Sequence, residues 1–209
     1  MAFDFKKEYK EFYMPKGKPE LVEVPAMRYI AVRGKGDPNS ENGDFQTAIG
    51  QLYGVAYTIK MSKMGDHRME GYFDFVVPPL EGFWEMEGVD GVDYTHKDKF
   101  QWVVVIRMPD FVTREEVMWA VREATQKKKS DFSRVEFAEI TEGLCVQCMH
   151  IGPFDNEPET MSLIDSFIQQ NGLTADHSES RKHHEIYLSD FRKTAPEKLK
   201  TVLRIPVKR

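Results

Sequence analysis

The chain has 209 residues, of which 41% are hydrophobic and 12% aromatic, so it can bury a sizeable core and is not a disordered chain. Its net charge of -5 argues against a duplex nucleic-acid partner, because phosphate binding requires a concentrated positive surface. The amphipathic start of the sequence does not resemble a signal peptide, and we expect no segment that spans a bilayer. With two cysteines that can both stay reduced, we expect a cytoplasmic protein without membrane contact.

The predicted elements begin with a short amphipathic helix in residues 3–13, followed by a first strand, EVPAMRYIAVRGKG, at residues 23–36 that ends in a glycine turn. Apolar residues from Phe45 to Ile59 recur at the helical period and predict a helix that Asp44 caps. Residues 71–79 and 100–109 then predict two more strands. This first part of the chain therefore has the order β-α-β-β.

The same order of elements returns after a connecting helix in residues 110–130, which Thr113 and Glu116 open as a capping box. A strand at residues 139–152, EITEGLCVQCMHIG, leads into a helix that begins near Glu157 and ends at Asn171-Gly172. Two strands, HHEIYLSD at 183–190 and KTVLRIPV at 200–207, complete the pattern. The chain therefore predicts two copies of one β-α-β-β unit.

These elements predict an α+β fold in which residues 1–209 form a single domain. The first unit covers residues 20–109, the connecting helix 110–130 and the second unit 135–209. We expect two antiparallel sheets, each with a helix on one face, related by a pseudo-twofold axis, with a ligand groove where the units meet. Residues 80–99 form an insertion in the first unit that either packs over a neighbour or acts as a lid; it contains Phe83, Trp84, Met86 and Tyr94.

The sequence lacks the patterns of several common catalytic sites. Cys145 and Cys148 point to opposite faces of a strand and have no second cysteine pair, which favours packing over zinc or thiol chemistry. The six histidines show no metal-binding spacing. We therefore expect no metal and no cofactor. No nucleophile elbow of the G-x-S-x-G type is present either.

Glu185 is the candidate site residue that strand periodicity singles out. On a strand, Glu185 and Tyr187 share one face with His183, whereas His184 and Ile186 share the other face. We expect the apolar set to meet the helix, which leaves Glu185 and Tyr187 facing the groove. A carboxylate in that position is a base, a partner for a cation, or a structural acid paired with an arginine such as Arg107 or Arg204.

The duplicated pattern, GKGDPN at 34–39, LYGVAYTIK at 52–60 and above all HHEIYLSD followed by TAPEKLKTVLR at 194–204 resemble the GyrI-like small-molecule-binding proteins. The resemblance covers nearly the whole chain and is strongest to the stand-alone, single-domain branch. It implies a duplicated fold of the SHS2 type with an aromatic groove and a glutamate on the penultimate strand at its floor, which corresponds to Glu185.

The same branch is similar to cyclopropanoid cyclopropyl hydrolases, which open the strained cyclopropane of DNA-alkylating natural products within an aromatic cage. The resemblance thus implies a hydrolase that detoxifies xenobiotics, with Glu185 as general base and Tyr187 or Tyr57 as donor to the developing phenolate. For the cage we expect Tyr57, Phe83, Trp84, Trp102 and Trp119 beside Tyr187. Packing in the core is the alternative for each aromatic, and the favoured one for Phe83 and Trp119.

A second function uses the same groove without chemistry. Glu185 would pair with lipophilic cations while aromatic rings supply cation-π contacts, so that the protein sequesters or senses drugs. Inhibition of gyrase by protein contact is a third possibility, but the net charge of -5 is too small to favour a DNA-mimicking surface. In either of the first two cases we expect hydrophobic aromatic small molecules as partners and a monomer or weak dimer.

Overall fold

The computed structural model describes residues 2–41, 43–86 and 96–209. Its longer strands are β1 (Glu20–Lys35), β2 (Leu80–Met86), β3 (Phe100–Arg107), β4 (Glu136–Ile151), β6 (His183–Tyr187) and β7 (Lys200–Lys208), and a short β5 (Thr174–Ala175) pairs with β7. Within the described residues, the six longer strands close into a ring in the order β4, β1, β3, β2, β6, β7 and back to β4. All of these pairings are antiparallel, which confirms the predicted α+β class. The two separate sheets that we expected are corrected to one closed sheet, because β1 pairs with β4 and β2 pairs with β6.

The helices of the described residues are α1 (Phe5–Glu8), α2 (Lys10–Tyr13), α3 (Asp44–Met61), α4 (Arg114–Lys128) and α5 (Glu157–Gln170). The capping box of α4 is confirmed, because the Thr113 side chain accepts a hydrogen bond from the backbone N–H of Glu116. Two predictions at helix starts are corrected. Gly43, and not Asp44, is the N-cap of α3, and the predicted N-terminal helix consists of two short turns, α1 and α2.

The prediction of a strand at residues 71–79 is wrong. In that segment only Phe75 forms a bridge, to Phe3, and the strand of this region is β2, which lies inside the predicted insertion. Pro78 and Pro79 explain the difference, because proline cannot donate a hydrogen bond to the ladder and regular pairing resumes only after them. The remainder of the insertion, with Tyr94, falls mostly outside the described residues.

Gly36 and Gly152 end β1 and β4 at the turns that lead toward α3 and α5. Both have positive φ angles, 104° and 137°, which residues with a Cβ rarely adopt. The predicted glycine turns are therefore present at both strand ends. The pseudo-twofold relation between residues 20–109 and 135–209, and the division into these units, stay predictions.

Helices α3 and α5 pack on the outer face of the ring at two separate places. Helix α3 covers β1 and β3, where Phe45 packs against Trp102 with ring centroids 5.1 Å apart. Helix α5 covers β4 and β7, where a second apolar cluster forms from Val146, Cys148, Ile164, Ile168, Leu203, Ile205 and Val207. The outer face of β2 and β6 lies between these two helices and forms the floor of a groove.

Our prediction of which face of β6 meets the helices is wrong. Cross-strand register places Glu185 opposite Gly82 and Leu203 on the outer, helix-bearing face, whereas His184 lies opposite Phe83 and Arg204. A closed ring has a buried inner side as well as a covered outer side, so burial of the apolar set does not require a helix above it. Glu185 and Tyr187 nevertheless share one face, as strand periodicity predicts.

The inner side of the ring contains a buried network of charged and polar side chains. Glu142 accepts a hydrogen bond from Arg204 at 2.8 Å and lies 3.0 Å from Nδ1 of His184. Nε2 of His184 lies 3.0 Å from Glu81, whose other oxygen accepts a hydrogen bond from Tyr13 at 3.2 Å. The cations of His184 and Arg204 therefore compensate the carboxylates of Glu142 and Glu81, as buried charges require.

The same network shifts the pKa values of Glu142 and His184. Burial opposes the charged form of Glu142, but the charges and hydrogen bonds of His184 and Arg204 outweigh it and lower the pKa of Glu142 to about 2. Burial likewise opposes a charged His184, yet the Glu142 carboxylate outweighs that effect and raises the pKa of His184 above its ordinary value of 6.5. Both groups are therefore charged at weakly acid pH.

We expect the stability of the fold to fall on both sides of this pH range. The lowered pKa of Glu142 gives a contribution that is present above pH 4.5 and is lost as the pH falls toward 2. The raised pKa of His184 gives a contribution that is complete below pH 6.5 and is lost as the pH rises through its folded-state pKa.

Urea denaturation at a series of pH values, with His184→Asn for comparison, measures both limbs. Wild-type protein is expected to lose stability above pH 6.5, and the variant to show a flatter alkaline limb from a lower starting value. If the free energy of unfolding falls equally steeply above pH 6.5 in the two proteins, His184 is not charged in the folded state.

Candidate ligand-binding and active site

A cavity of about 1190 Å³ lies on the outer face of the ring, between α3 and the segment that leads into α5. It is larger than most small-molecule pockets, which measure about 300–1,000 Å³. Its floor is formed by Trp84 of β2 with Glu185 and Tyr187 of β6. Aromatic side chains form much of the wall: Phe45, Tyr53 and Tyr57 from α3, with Phe100, Phe154 and Phe191.

A chain of hydrogen bonds runs across the floor of this cavity. The indole N–H of Trp84 donates to the Tyr187 hydroxyl at 3.0 Å, and this hydroxyl donates to Oε2 of Glu185 at 2.7 Å. Oε1 of Glu185 lies 3.0 Å from Nε2 of His183. Since an ionised carboxylate only accepts, the His183 tautomer that fits carries its proton on Nε2. Both oxygens of Glu185 are thus held in place by neighbours that are themselves buried.

The electrostatic setting keeps Tyr187 protonated. Burial, followed by the negative charge of Glu185 and the hydrogen bond to it, raises the pKa of Tyr187 well above its ordinary value of 10.0. Tyr187 therefore acts as a donor toward Glu185. Each oxygen of Glu185 accepts one hydrogen bond and keeps a further lone pair for another donor, such as a water or a ligand.

Gly82 permits the close packing of this floor. A Cβ at Gly82 would lie 2.8 Å from the indole nitrogen of Trp84 and 3.1 Å from the Tyr187 hydroxyl. Both distances are shorter than ordinary van der Waals contact, so any side chain at Gly82 would displace the two donors. A glycine is therefore needed at this position because it leaves room for the hydrogen-bonded side chains, and not because the backbone turns there.

Glu157 is a second buried carboxylate of the cavity, and sequence analysis missed it. It opens α5 with 1% of its surface exposed, lines the cavity, and its negative charge contributes to the raised pKa of Tyr187. In the sequence it reads as a typical acidic residue of a first helical turn. No local pattern distinguishes such a residue from one that is buried in a site.

Three of the predicted aromatic and catalytic residues line the cavity together with Glu185: Tyr57, Trp84 and Tyr187. Tyr57 is 50% exposed and stands beside Tyr53, with ring centroids 6.3 Å apart. Tyr187 packs edge-on against Phe154 and Phe191 at 5.8 and 6.2 Å. Strand periodicity also placed His183 on the same face as Glu185 and Tyr187, but we did not predict its hydrogen bond to Glu185.

Phe83, Trp102 and Trp119 do not line this cavity: Phe83 and Trp119 pack in or against the core, the alternative that we favoured for them, and the predicted place of Trp102 in the cage is corrected. Phe83 points to the inner side of the ring and stacks on His184 at 4.0 Å, because it alternates with the outward-facing Trp84 along β2. Trp102 faces outward but is covered by Phe45 and lies over Gly34. Trp119 belongs to α4 and stacks on His67 at 3.9 Å.

The two arginines considered as partners of Glu185 bind elsewhere. Arg204 pairs with Glu142 inside the ring, and the guanidinium of Arg107 lies 4.9 Å from the ring centre of Phe5 and 4.4 Å from that of Tyr9. At the cavity rim, Lys97 forms an ion pair of 3.3 Å with Asp155. Among the described residues, His, Cys, Asp and Glu side chains form no cluster suited to a metal ion.

The fold and the site together define a small-molecule-binding domain: a closed antiparallel ring whose outer face carries a large aromatic cavity with a few convergent polar groups. The chain belongs to the GyrI-like family, since the GyrI-like small molecule binding domain matches residues 17–208. The resemblance seen in the sequence is thereby confirmed.

Solved structures agree with this assignment. A conserved protein of uncharacterised function from Listeria innocua shares 52% identity over 99% of this chain and 100% of its own, with a TM-score of 0.93. A hydrolase from Listeria innocua shares 50% identity over 99% of this chain and 100% of its own, with a TM-score of 0.90. The C-terminal domain of EcmrR, at 13% identity over 92% of this chain and 98% of its own, has a TM-score of 0.56 and is similar in fold alone.

A search of curated proteins found no significant match. Within the described part of the chain, none of the helices has both the length and the apolar character that crossing a membrane requires.

Proposed function

We propose that the cavity binds bulky, flat aromatic xenobiotics and that the protein hydrolyses the strained cyclopropane of DNA-alkylating cyclopropanoid compounds, which would detoxify them. The observation that carries this proposal is the Glu185 carboxylate, fixed by Tyr187 and His183 at the floor of an aromatic cavity. Two solved structures of hydrolases from Listeria innocua, which share 50% and 51% identity with this chain, support an enzymatic activity.

Binding of the ligand would rest on the aromatic walls. Tyr53, Tyr57, Phe154 and Phe191 present ring faces and edges to the cavity, and such side chains bind flat ligands while losing little conformational entropy. Trp84, Glu185 and Tyr187 at the floor of the cavity are each less than a tenth exposed, and a bound ligand would shield them further from bulk water. A reactive ring held there would meet one positioned water in place of bulk solvent.

Glu185 would act as the general base. It takes a proton from a water whose oxygen bonds to the unhindered cyclopropane carbon, while the ring C–C bond breaks and its electron pair moves to the conjugated carbonyl oxygen. That oxygen becomes a phenolate and then takes a proton, so the product equals the substrate plus one water. His183 and Tyr187 hold the carboxylate in one orientation throughout.

Tyr57 is the better candidate for the donor that meets the developing phenolate. The hydroxyl proton of Tyr187 is already directed to Glu185, whereas Tyr57 lines the cavity and is half exposed. A hydrogen bond that strengthens as the phenolate forms would stabilise the transition state more than the bound substrate.

Non-catalytic binding of lipophilic cations is the second candidate function. It is favoured by the two buried carboxylates, Glu157 and Glu185, which line the same aromatic cavity. A ligand cation would offset their charge and gain cation-π contacts with the walls. The same site could then sequester drugs without changing them.

One experiment separates the two functions. Purified protein is incubated with a cyclopropane-bearing alkylator, and mass spectrometry follows the appearance of a product heavier by one water. We expect this product to form faster than in buffer and in proportion to the amount of protein. Binding of the alkylator without any product above the buffer rate would eliminate hydrolysis and leave the binding function.

A further inference from the structure

A smaller cavity of about 200 Å³ adjoins the main one. Both cavities are bounded by Tyr53, Tyr57, Tyr187 and Phe191, so the same four rings form a partition between them. On its far side the small cavity is enclosed by Pro78, Pro79 and Leu188, which do not line the main cavity. At about 30 Å³ for each water-sized group, it has room for roughly six such groups.

Lys6 is the charged residue that lines the small cavity and not the main one, whereas Asp190 and Arg192 line both cavities. Asp190 and Arg192 form a two-pronged ion pair with distances of 2.9 and 3.1 Å, so their charges largely cancel.

Lys6 is thus the unmatched charge of the small cavity. Among the described residues, no carboxylate lies within ion-pair distance of the Lys6 ammonium group, and the neighbouring Lys7 is the partner of Asp4. The main floor, in contrast, holds the buried carboxylates Glu157 and Glu185.

From this arrangement we infer that the small cavity is a second subsite of the same ligand site. It takes an extension that ends in a hydrogen-bond acceptor, a carboxylate or a carbonyl, from a ligand whose flat aromatic body lies in the main cavity. The inference rests on the binding half of the proposed function and does not depend on catalysis. It assigns the protein elongated ligands of two unequal parts, with an electron-poor flat end and an acceptor at the other end.

Fluorescence titration with three probes tests the subsite: acridine orange, acridine orange carrying a short alkyl chain on its ring nitrogen, and the same molecule with a chain of equal length ending in a carboxylate. Wild-type protein is expected to bind the carboxylate probe about 2- to 5-fold more tightly than the alkyl probe, which corresponds to the upper part of the range for exposed ion pairs. Lys6→Glu is expected to remove this difference or reverse it.

Two further variants make the result specific. Lys7→Glu changes the neighbouring lysine, whose side chain is 76% exposed and pairs with Asp4, and is expected to leave the preference for the carboxylate unchanged. Leu188→Trp fills the small cavity without touching the main one, and is expected to weaken both chain-bearing probes while acridine orange itself binds as before.

The outcomes distinguish this inference from the proposed function. Binding of acridine orange with no preference for the carboxylate chain, and no effect of Lys6→Glu, would refute the subsite and leave the main site intact. Failure of all three probes to bind would refute the subsite together with the binding function on which it rests.

Discussion

Glu185→Gln is expected to reduce turnover of a cyclopropanoid substrate by about 10²- to 10⁴-fold, the usual contribution of a general base. Glutamine keeps the size of the side chain, and its carbonyl oxygen can still accept the hydrogen bond from Tyr187. The amide nitrogen can donate to His183 if that ring changes tautomer, so the floor of the cavity has a way to stay assembled. Affinity for a neutral flat ligand is therefore expected to stay within about threefold.

Single-turnover mass spectrometry and equilibrium binding, measured on the same preparations, check both halves of this prediction. Asp155→Asn is the matched control, since Asp155 lines the same cavity but its side chain is 82% exposed at the rim. Normal turnover in Glu185→Gln would eliminate the general-base role. If Glu185→Gln reduces the affinity for cationic dyes more than it reduces turnover, sequestration of lipophilic cations would be favoured.

Arg204→Met is expected to lower the free energy of unfolding by about 3–5 kcal/mol, the typical cost of removing one partner from a buried ion pair. Arg204 is 1% exposed and donates to Glu142, to Gln147 and to the backbone carbonyl of Phe12. Methionine fills a similar volume but supplies no donor. The Glu142 carboxylate would then keep His184 as its remaining cationic partner inside the ring.

Urea denaturation followed by tryptophan fluorescence gives this free energy, with Arg33→Met as the control. Arg33 forms an ion pair of 2.7 Å with Glu136, but both side chains are exposed, so its loss is expected to cost less than about 1 kcal/mol. Adding Glu142→Gln to Arg204→Met is expected to cost less than the sum of the two single changes, because the pair acts as a unit. An Arg204→Met variant as stable as the Arg33→Met variant would contradict the importance of the buried network.

The same network links the stability of the fold to the geometry of the site. His184 holds the network on the inner side of β6, and its neighbours His183 and Glu185 hold the hydrogen-bond chain on the outer side. We therefore expect a change that disturbs the network to shift the strand that carries Glu185 as well. Loss of activity after Arg204→Met would reflect this strand shift and not a role of Arg204 in chemistry.

Much of the local structure could be predicted from the sequence because it depends on neighbouring residues. The capping box at Thr113, the glycine turns at Gly36 and Gly152, and the helical stripe from Phe45 to Ile59 are encoded within a few residues of where they act. Strand periodicity also placed Glu185 and Tyr187 on one face. The strand at residues 71–79 was the local failure, where two prolines outweighed the apolar pattern.

Local patterns in the sequence were sufficient to predict most of the helices and strands, the family, and the position of Glu185 and Tyr187 on one face of a strand. The face of β6 that meets the helices, the inward direction of Phe83 and the place of Glu157 in the cavity could be known only from the folded chain. A period of two residues divides a strand into two faces but does not say what covers each of them. That depends on pairings such as β1 with β4 and β2 with β6, which join residues far apart in the chain and close the ring.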